Sequence, residues 1–355
     1  MSRSLGWSVA TTQAITIKNM SEYNQNSGYG QALLNMVANQ VPVFGRLLIV
    51  VSTSDTALEY YQRLQAVFPP DPSGRVRFFT SLSDAYTEAY TNNNDVILLS
   101  SYSTHTLTSG LAVSKNRIHF LGMDGGDRLQ AQGVRVQLAT AATTAYVMRN
   151  TGNRNTFRNI KFIQAATAGT GLNVVEEGGE GTLYKNCSFT FGVVDNLGGT
   201  TAHELVCGSD SATYLNCTFG AATLTTSGAR TVCLYDGVTG GATTPRDNVF
   251  KECIFTIESS AAGAQFVSMT ASGDAKGINL FQDCDFVAAK VNGGGIALTK
   301  AVSTANGLTD GVFCYAYPRA FNCTDFATNG TNNDNIQVVA PVSVAAAIEG
   351  IAPTA

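Results

Sequence analysis

Charge is scarce in this chain. Asp, Glu, Lys and Arg make up 14% of its 355 residues, and the net charge is −4. A basic footprint for nucleic acid is therefore missing, and no nucleic-acid partner is expected. No run of about 18 apolar residues occurs, so no membrane span is expected. The opening segment, MSRSLGWSVATTQ, lacks the apolar centre of a secretory leader, which points to synthesis and folding in a cytoplasm. His105, His119 and His203 stand singly, with no HxH or HExxH spacing to hold a metal. The GxSxG, GxxxxGK[ST] and GxGxxG motifs are also missing. The eight cysteines form no CxxC pair and lie between Cys187 and Cys323 in strand-like segments. Buried, reduced thiols are the expectation. Neither a metal nor another cofactor is expected.

Small residues are abundant instead: Gly alone numbers 35, beside frequent Ala, Thr, Ser and Asn. That mixture suits stacked β rungs better than helical bundles. The length allows a sizeable core and more than one unit. Residues 1–44 are polar and read as an arm, with a short helix at Gln31–Ala38. RLLIVV at Arg46–Val51 reads as a buried strand. Asp55 is placed to cap a helix whose face carries Leu58, Tyr61, Leu64 and Phe68. PPDPSG ends that helix, and Val76–Phe79 is a short strand. Ser81 and Asp84 form a capping pair ahead of Leu82, Ala85, Tyr86 and Ala89. Asp95–Leu99 is another strand.

The strongest signal is a repeat. FRNIKF (Phe157–Phe162), YKNCSF (Tyr184–Phe189), YLNCTF (Tyr214–Phe219), FKECIF (Phe250–Phe255) and FQDCDF (Phe281–Phe286) share one pattern at a period of 27 to 36 residues. FNCTDF (Phe321–Phe326) reads as a looser sixth copy. A second apolar segment precedes most copies: LNVV, ELVC, TVCLY, QFVSM and VFCY. Strand alternation puts the Cys and the last aromatic on one face. Stacked coils would therefore align Cys187, Cys217, Cys253 and Cys284 in one inward column, with Ile160 beneath. The phenylalanines would form another. The polar residue before Cys (Asn159, Asn186, Asn216, Glu252, Asp283) falls at a bend, where Asn tolerates unusual dihedrals and can bond its stacked neighbour.

The expected fold is mainly β: a right-handed parallel β-helix with a small α/β N-terminal cap. The expected organisation is an arm at 1–44, a cap at 45–115, the β-helix at 116–326 and a tail at 327–355. Over residues 75–326 the repeats, and the helix and Gly-rich turn that lead into them, resemble the pectin-lyase-like superfamily. That resemblance implies fold alone, because the superfamily contains lyases, hydrolases, esterases and inert structural proteins.

Catalytic signals are weak. Glu252 and Asp283 hold equivalent positions on adjacent coils. Their carboxyls could lie about 5 Å apart, as in a retaining glycosidase pair. The competing reading is that both merely replace Asn at the bend. No recurring column of acids with a basic partner suggests a calcium-dependent lyase. Arg246–Asp247, and Asp124 and Asp127 with Arg128, are isolated groups, and GMDGGDR (Gly122–Arg128) reads as a turn between coils.

Three functions follow from this reading. The order FGRLLIVV, FPPDPSGRVRFFTSLSDAYTEA, NDVILL and then a short β-helix resembles hypothetical proteins of tailed phages. It implies a non-enzymatic virion protein that decorates or cements the capsid. Its partners would be itself, as a homotrimer, and the major capsid protein or other virion proteins. The alternatives are a phage tailspike or fibre that binds or cleaves host surface glycan, and a free polysaccharide lyase or hydrolase.

Overall fold

Each clear copy of the six-residue pattern folds as two short strands hinged on its third residue. Thr156–Arg158 ends at Asn159, and Lys161–Gln164 starts after Ile160. The hinge has positive φ in every clear copy: Asn159 58°, Asn186 52°, Asn216 54°, Glu252 54° and Asp283 52°. Among residues with a side chain, Asn enters that left-handed region most readily. The hinge swings the chain from one sheet into the next, so Phe157, Ile160 and Phe162 all reach the core.

The structure is a computed structural model. It describes residues 35, 37–39, 45–70, 74–101, 103–123, 133–167, 173–192, 201–221, 224–241, 244–269, 275–289, 296–304, 311–327 and 336–339. Its strands form three sheets of eleven, nine and eight strands, called here I, II and III, and every pairing among the described residues is parallel. One coil runs Leu183–Lys185 in sheet I, Ser188–Phe191 in sheet II and His203–Cys207 in sheet III. The next begins at Thr213–Leu215, back in sheet I. The fold is therefore a right-handed parallel β-helix with a small α/β cap.

Like residues stack on like in the core. Phe189 and Phe219 have ring centroids 4.7 Å apart, Phe219 and Phe255 4.8 Å, and Phe255 and Phe286 5.1 Å. The first aromatic of the pattern builds a second column through Phe157, Tyr184, Tyr214, Phe250, Phe281 and Tyr315, at spacings of 4.4 to 5.1 Å. Cys187, Cys217, Cys253 and Cys284 are fully buried beside them. All eight thiols are free. The spacing is the natural strand separation, so flat rings meet without strain.

The cap joins the same stack. Leu47–Val50 pairs in parallel with Val96–Leu99 and with Phe78–Phe79. Helix α1 (Glu59–Val67) lays Leu64, followed by Phe68, on the outer face of sheet I against Ile49, Leu98 and Leu121. Helix α2 (Leu82–Glu88) is capped as the sequence suggests, with Asp84 N donating to Ser81 Oγ at 3.4 Å. Its Leu82, Ala85 and Tyr86 join the main core and close the first coil. No described helix is long and apolar enough to cross a membrane.

Four details differ from the sequence reading. Parallel coiling is already complete before Asn116, because Val96–Leu99, His105–Leu107 and Leu111–Val113 each pair with the following coil. FNCTDF is not a sixth rung of the pattern: Phe281 pairs with Tyr315 and Asp285 with Arg319, so YAYPRA occupies that place. The likeness arises because Asn322 is also a left-handed hinge, φ 60°, but at the corner between sheets II and III. VFCY accordingly lies in sheet I, and the sheet III strand of the preceding coil is Leu298–Thr304. Asp55 caps no helix; it is buried and accepts a 2.5 Å bond from Ser103 Oγ. Most of residues 1–44, residues 124–132 with the GMDGGDR turn expected there, and the residues beyond Val339 lie outside the described residues.

Candidate functional site

The hinge ladder places the two candidate acids. Asn186 Nδ2 donates to Asn159 Oδ1 at 3.1 Å, and Asn216 Nδ2 donates to Asn186 Oδ1 at 2.8 Å. Glu252 and Asp283 continue this line on the next two coils, since Lys251 pairs with Gln282. Their backbone amides hold the turn: Glu252 N donates to the Gln282 carbonyl and Asp283 N to the Ala316 carbonyl, each at 2.9 Å. Glu252 is exposed and lies 3.9 Å from Lys251 Nζ. The sequence pattern thus brought both acids to one ridge. The ridge is the corner between sheets I and II.

A richer set of polar groups lies on the outer face of sheet III. Tyr146, Asn173 and His203 are in register on three successive coils, and Arg149 is in register with Glu176. The Arg149 guanidinium sits 4.3 Å over the Tyr146 ring and forms an ion pair with Glu176 Oε2. Asn173 Nδ2 donates to Glu176 Oε1 at 2.9 Å. Both oxygens of Glu176 are thereby occupied. Asn173 Oδ1 is buried without a partner. His203 Nδ1 lies 2.8 Å from the Thr231 carbonyl, so that nitrogen carries the proton. Burial lowers the His203 pKa to about 4, and the ring is neutral at neutral pH. Further along, the Thr231 and Ser268 hydroxyls bond at 2.8 Å. Glu176, His203 and Thr231 are buried, so what this row can present to a polar ligand is the half-buried Tyr146, Arg149, Asn173 and Ser268. The sequence reading passed over it because it followed the inward residues of LNVV and ELVC; the outward partners do not repeat.

Two further polar groups are sealed inside. Glu177 accepts from Tyr184 Oη at 2.6 Å, Gly179 N at 2.6 Å and Asn150 Nδ2 at 2.9 Å. Burial outweighs these bonds and pushes its pKa up to about 7. Arg230, almost fully buried, pairs with buried Glu204 and lies 5.3 Å from the Phe191 ring. Both groups tie successive coils together from within. His105 and His119 do not meet His203: His105 bonds the Ser100 carbonyl at 2.9 Å, and His119 lies on sheet I. No metal-binding cluster of His, Cys, Asp or Glu occurs among the described residues. A hollow of about 210 Å³ lies between α1 and Phe78, lined by Tyr61, Gln65, Phe68 and Val76.

No protein-family model matches the chain, and no curated protein matches it. Solved structures do. Pectin methylesterase from Aspergillus niger is similar over 87% of this chain and 90% of that one, at 11% identity and a TM-score of 0.51. The pectin methylesterase from carrot covers 87% of this chain and 88% of its own, at 12% identity and a TM-score of 0.47. The chain shares their fold. At such identity the likeness reaches no further than the fold. A protein of Geobacillus virus E2, ORF18, matches 72% of this chain and 56% of its own, at 10% identity and a TM-score of 0.30, which bears on no argument.

Proposed function

We propose that this chain is a non-enzymatic structural protein of a tailed-phage virion, a decoration or cement protein of the capsid that acts as a homotrimer. The observation that carries this reading is the placement of Glu252 and Asp283. Both stand as hinge residues with positive φ and main-chain bonds to the next coil, which is a structural duty. The order of cap and short coil, which resembles proteins of tailed phages, supplies the virion. A stack of coils bonded above and below is rigid and resists proteolysis, as a clamp across capsomers requires. Threefold positions on an icosahedral shell favour a trimer, with the major capsid protein as the other partner.

The polar row on sheet III favours a second reading, a tailspike or fibre that binds or cleaves host surface glycan. Cryo-electron microscopy of the particle separates the two. Density for this chain on the head supports decoration; density at the tail tip overturns it. A glycan-degradation assay is expected to stay blank. Loss of a measurable cleavage in Glu252→Gln with Asp283→Asn would overturn the non-enzymatic reading and favour a glycan hydrolase or lyase.

A further inference from the structure

Sheet I has a bare edge at the cap, and a hollow lies beside it. Phe78–Phe79 is the outermost strand there, and among the described residues it pairs with Leu47–Val50 alone. Ile49 N donates to the Arg77 carbonyl at 2.6 Å and Val51 N to the Phe79 carbonyl at 2.9 Å. Parallel geometry then turns the Phe78 amide and carbonyl the other way, where no described group bonds them. Alternation puts Val76 and Phe78 on the outer side of the sheet, and Phe78 meets the Tyr61 ring edge-on at 5.7 Å. The hollow of about 210 Å³ opens on this side, between Tyr61, Gln65 and Phe68 and the chain at Val76 and Phe78. Val76 at its rim is 58% exposed. The volume falls below the roughly 300–1,000 Å³ of a site for a small molecule or cofactor. It suits one or two aliphatic side chains carried on an added strand.

We infer that residues 13–18 of the chain's own arm, QAITIK, add a strand to this edge, with Ile15 and Ile17 facing the hollow. Three observations select that occupant. The two isoleucines alternate with Ala14, Thr16 and Lys18, the pattern of a strand with one apolar side, and Ile and Thr both favour strands. Val37 is fully buried in the cluster that also holds Leu64, Phe68, Tyr61 and Phe78, so the arm departs from beside the hollow. Residues 19–36, at about 3.3 Å each, reach roughly 60 Å when extended, enough to turn back onto the edge. A tethered strand also competes at an effective concentration of about a millimolar, which favours the chain's own arm over that of another copy. The added strand covers an edge that would otherwise pair with foreign chains. The inference concerns the cap alone and rests on neither the virion nor the glycan reading.

The test is amide hydrogen exchange on the full chain, read by mass spectrometry. Segments 13–18 and 76–80 are both expected to be protected, with segment 214–219 of the coil stack as the reference. Ile15→Glu with Ile17→Glu should speed exchange at least tenfold in both segments and leave 214–219 unchanged. Val76→Asp, at an exposed position where folding tolerates the change, should do the same from the other side. Fast exchange of either segment in the unaltered chain would overturn the inference. So would protection of 13–18 that survives Val76→Asp. Fast exchange at 13–18 in the double variant with 76–80 still protected would place the arm elsewhere and overturn it too. Mixed with unaltered chain, a nitrogen-15-labelled double variant should keep fast exchange at 76–80. Protection gained there would assign the strand to a second copy and refute the choice of the chain's own arm. Particle location is read separately by microscopy, so failure here leaves the virion reading untouched.

Discussion

Glu177 shows how one buried residue can set the pH response of the fold. Its carboxyl is sealed in the interior, with a pKa moved from about 4.5 to about 7 by burial. The unfolded chain therefore ionises this group first as pH rises. Between about 4.5 and about 7 the unfolded chain holds fewer protons than the folded one, so stability falls across that window. Below it the group is protonated in both states and costs nothing. A displacement of this size corresponds to roughly 3 kcal/mol. Denaturant unfolding at pH 5 and pH 8 should show the decline, and Glu177→Gln should flatten it. Equal slopes in the two proteins would refute the assignment. Tyr184, Gly179 and Asn150 hold the carboxyl in place: they bind its oxygens from the next coil, the adjoining turn and the coil below.

At the scale of the element, the hinge and the aromatic column can be tested separately. Phe219 is fully buried between Phe189 and Phe255. Phe219→Ala should cost about 3–5 kcal/mol, read from chemical unfolding, because both stacked neighbours lose a face. A cost below 1 kcal/mol would mean that the column is not a core. The hinge predicts a gain instead. Glu252 holds φ 54° without the ease that Asn has in that region. Glu252→Asn should stabilise by roughly 1 kcal/mol, by relieving strain and offering its amide to the ladder. A lowered melting temperature would show that Glu252 has another duty.

For the whole molecule, the coil stack acts as one barrier to reagents. Six of the eight thiols are buried, and Cys314 and Cys323 are half-buried on the last coil. Burial raises the Cys207 pKa to about 12 and the Cys323 pKa to about 11, which leaves little thiolate at neutral pH. Alkylation of the native protein without reductant should label at most Cys314 and Cys323. Denaturation without reductant should expose all eight, counted by mass spectrometry. Fewer than eight labels would reveal a disulfide. Rapid labelling of Cys217 in the native state would show that the coils open locally.

The repeat was legible because inward residues stack on copies of themselves. An aromatic or Cys on one coil needs the same volume above and below, so Phe189, Phe219 and Phe255 recur in the chain as they do in space. The hinge was legible for the same reason: a left-handed residue restricts the side chain, and Asn159, Asn186 and Asn216 satisfy both the dihedral and the ladder. FNCTDF misled because this local requirement is shared by two different corners, and the pairings of Phe281 with Tyr315 and of Asp285 with Arg319 distinguish them. The sequence by itself thus determined the coil, its period and its core columns. Tertiary structure alone decided what meets on the outside. Arg149 and Glu176, and Glu204 and Arg230, lie 27 and 26 residues apart in segments whose outward residues do not repeat, so no local rule ties one to its neighbour one coil away. That register is set by the inward columns, which fix each coil on the last and leave the outer faces to follow.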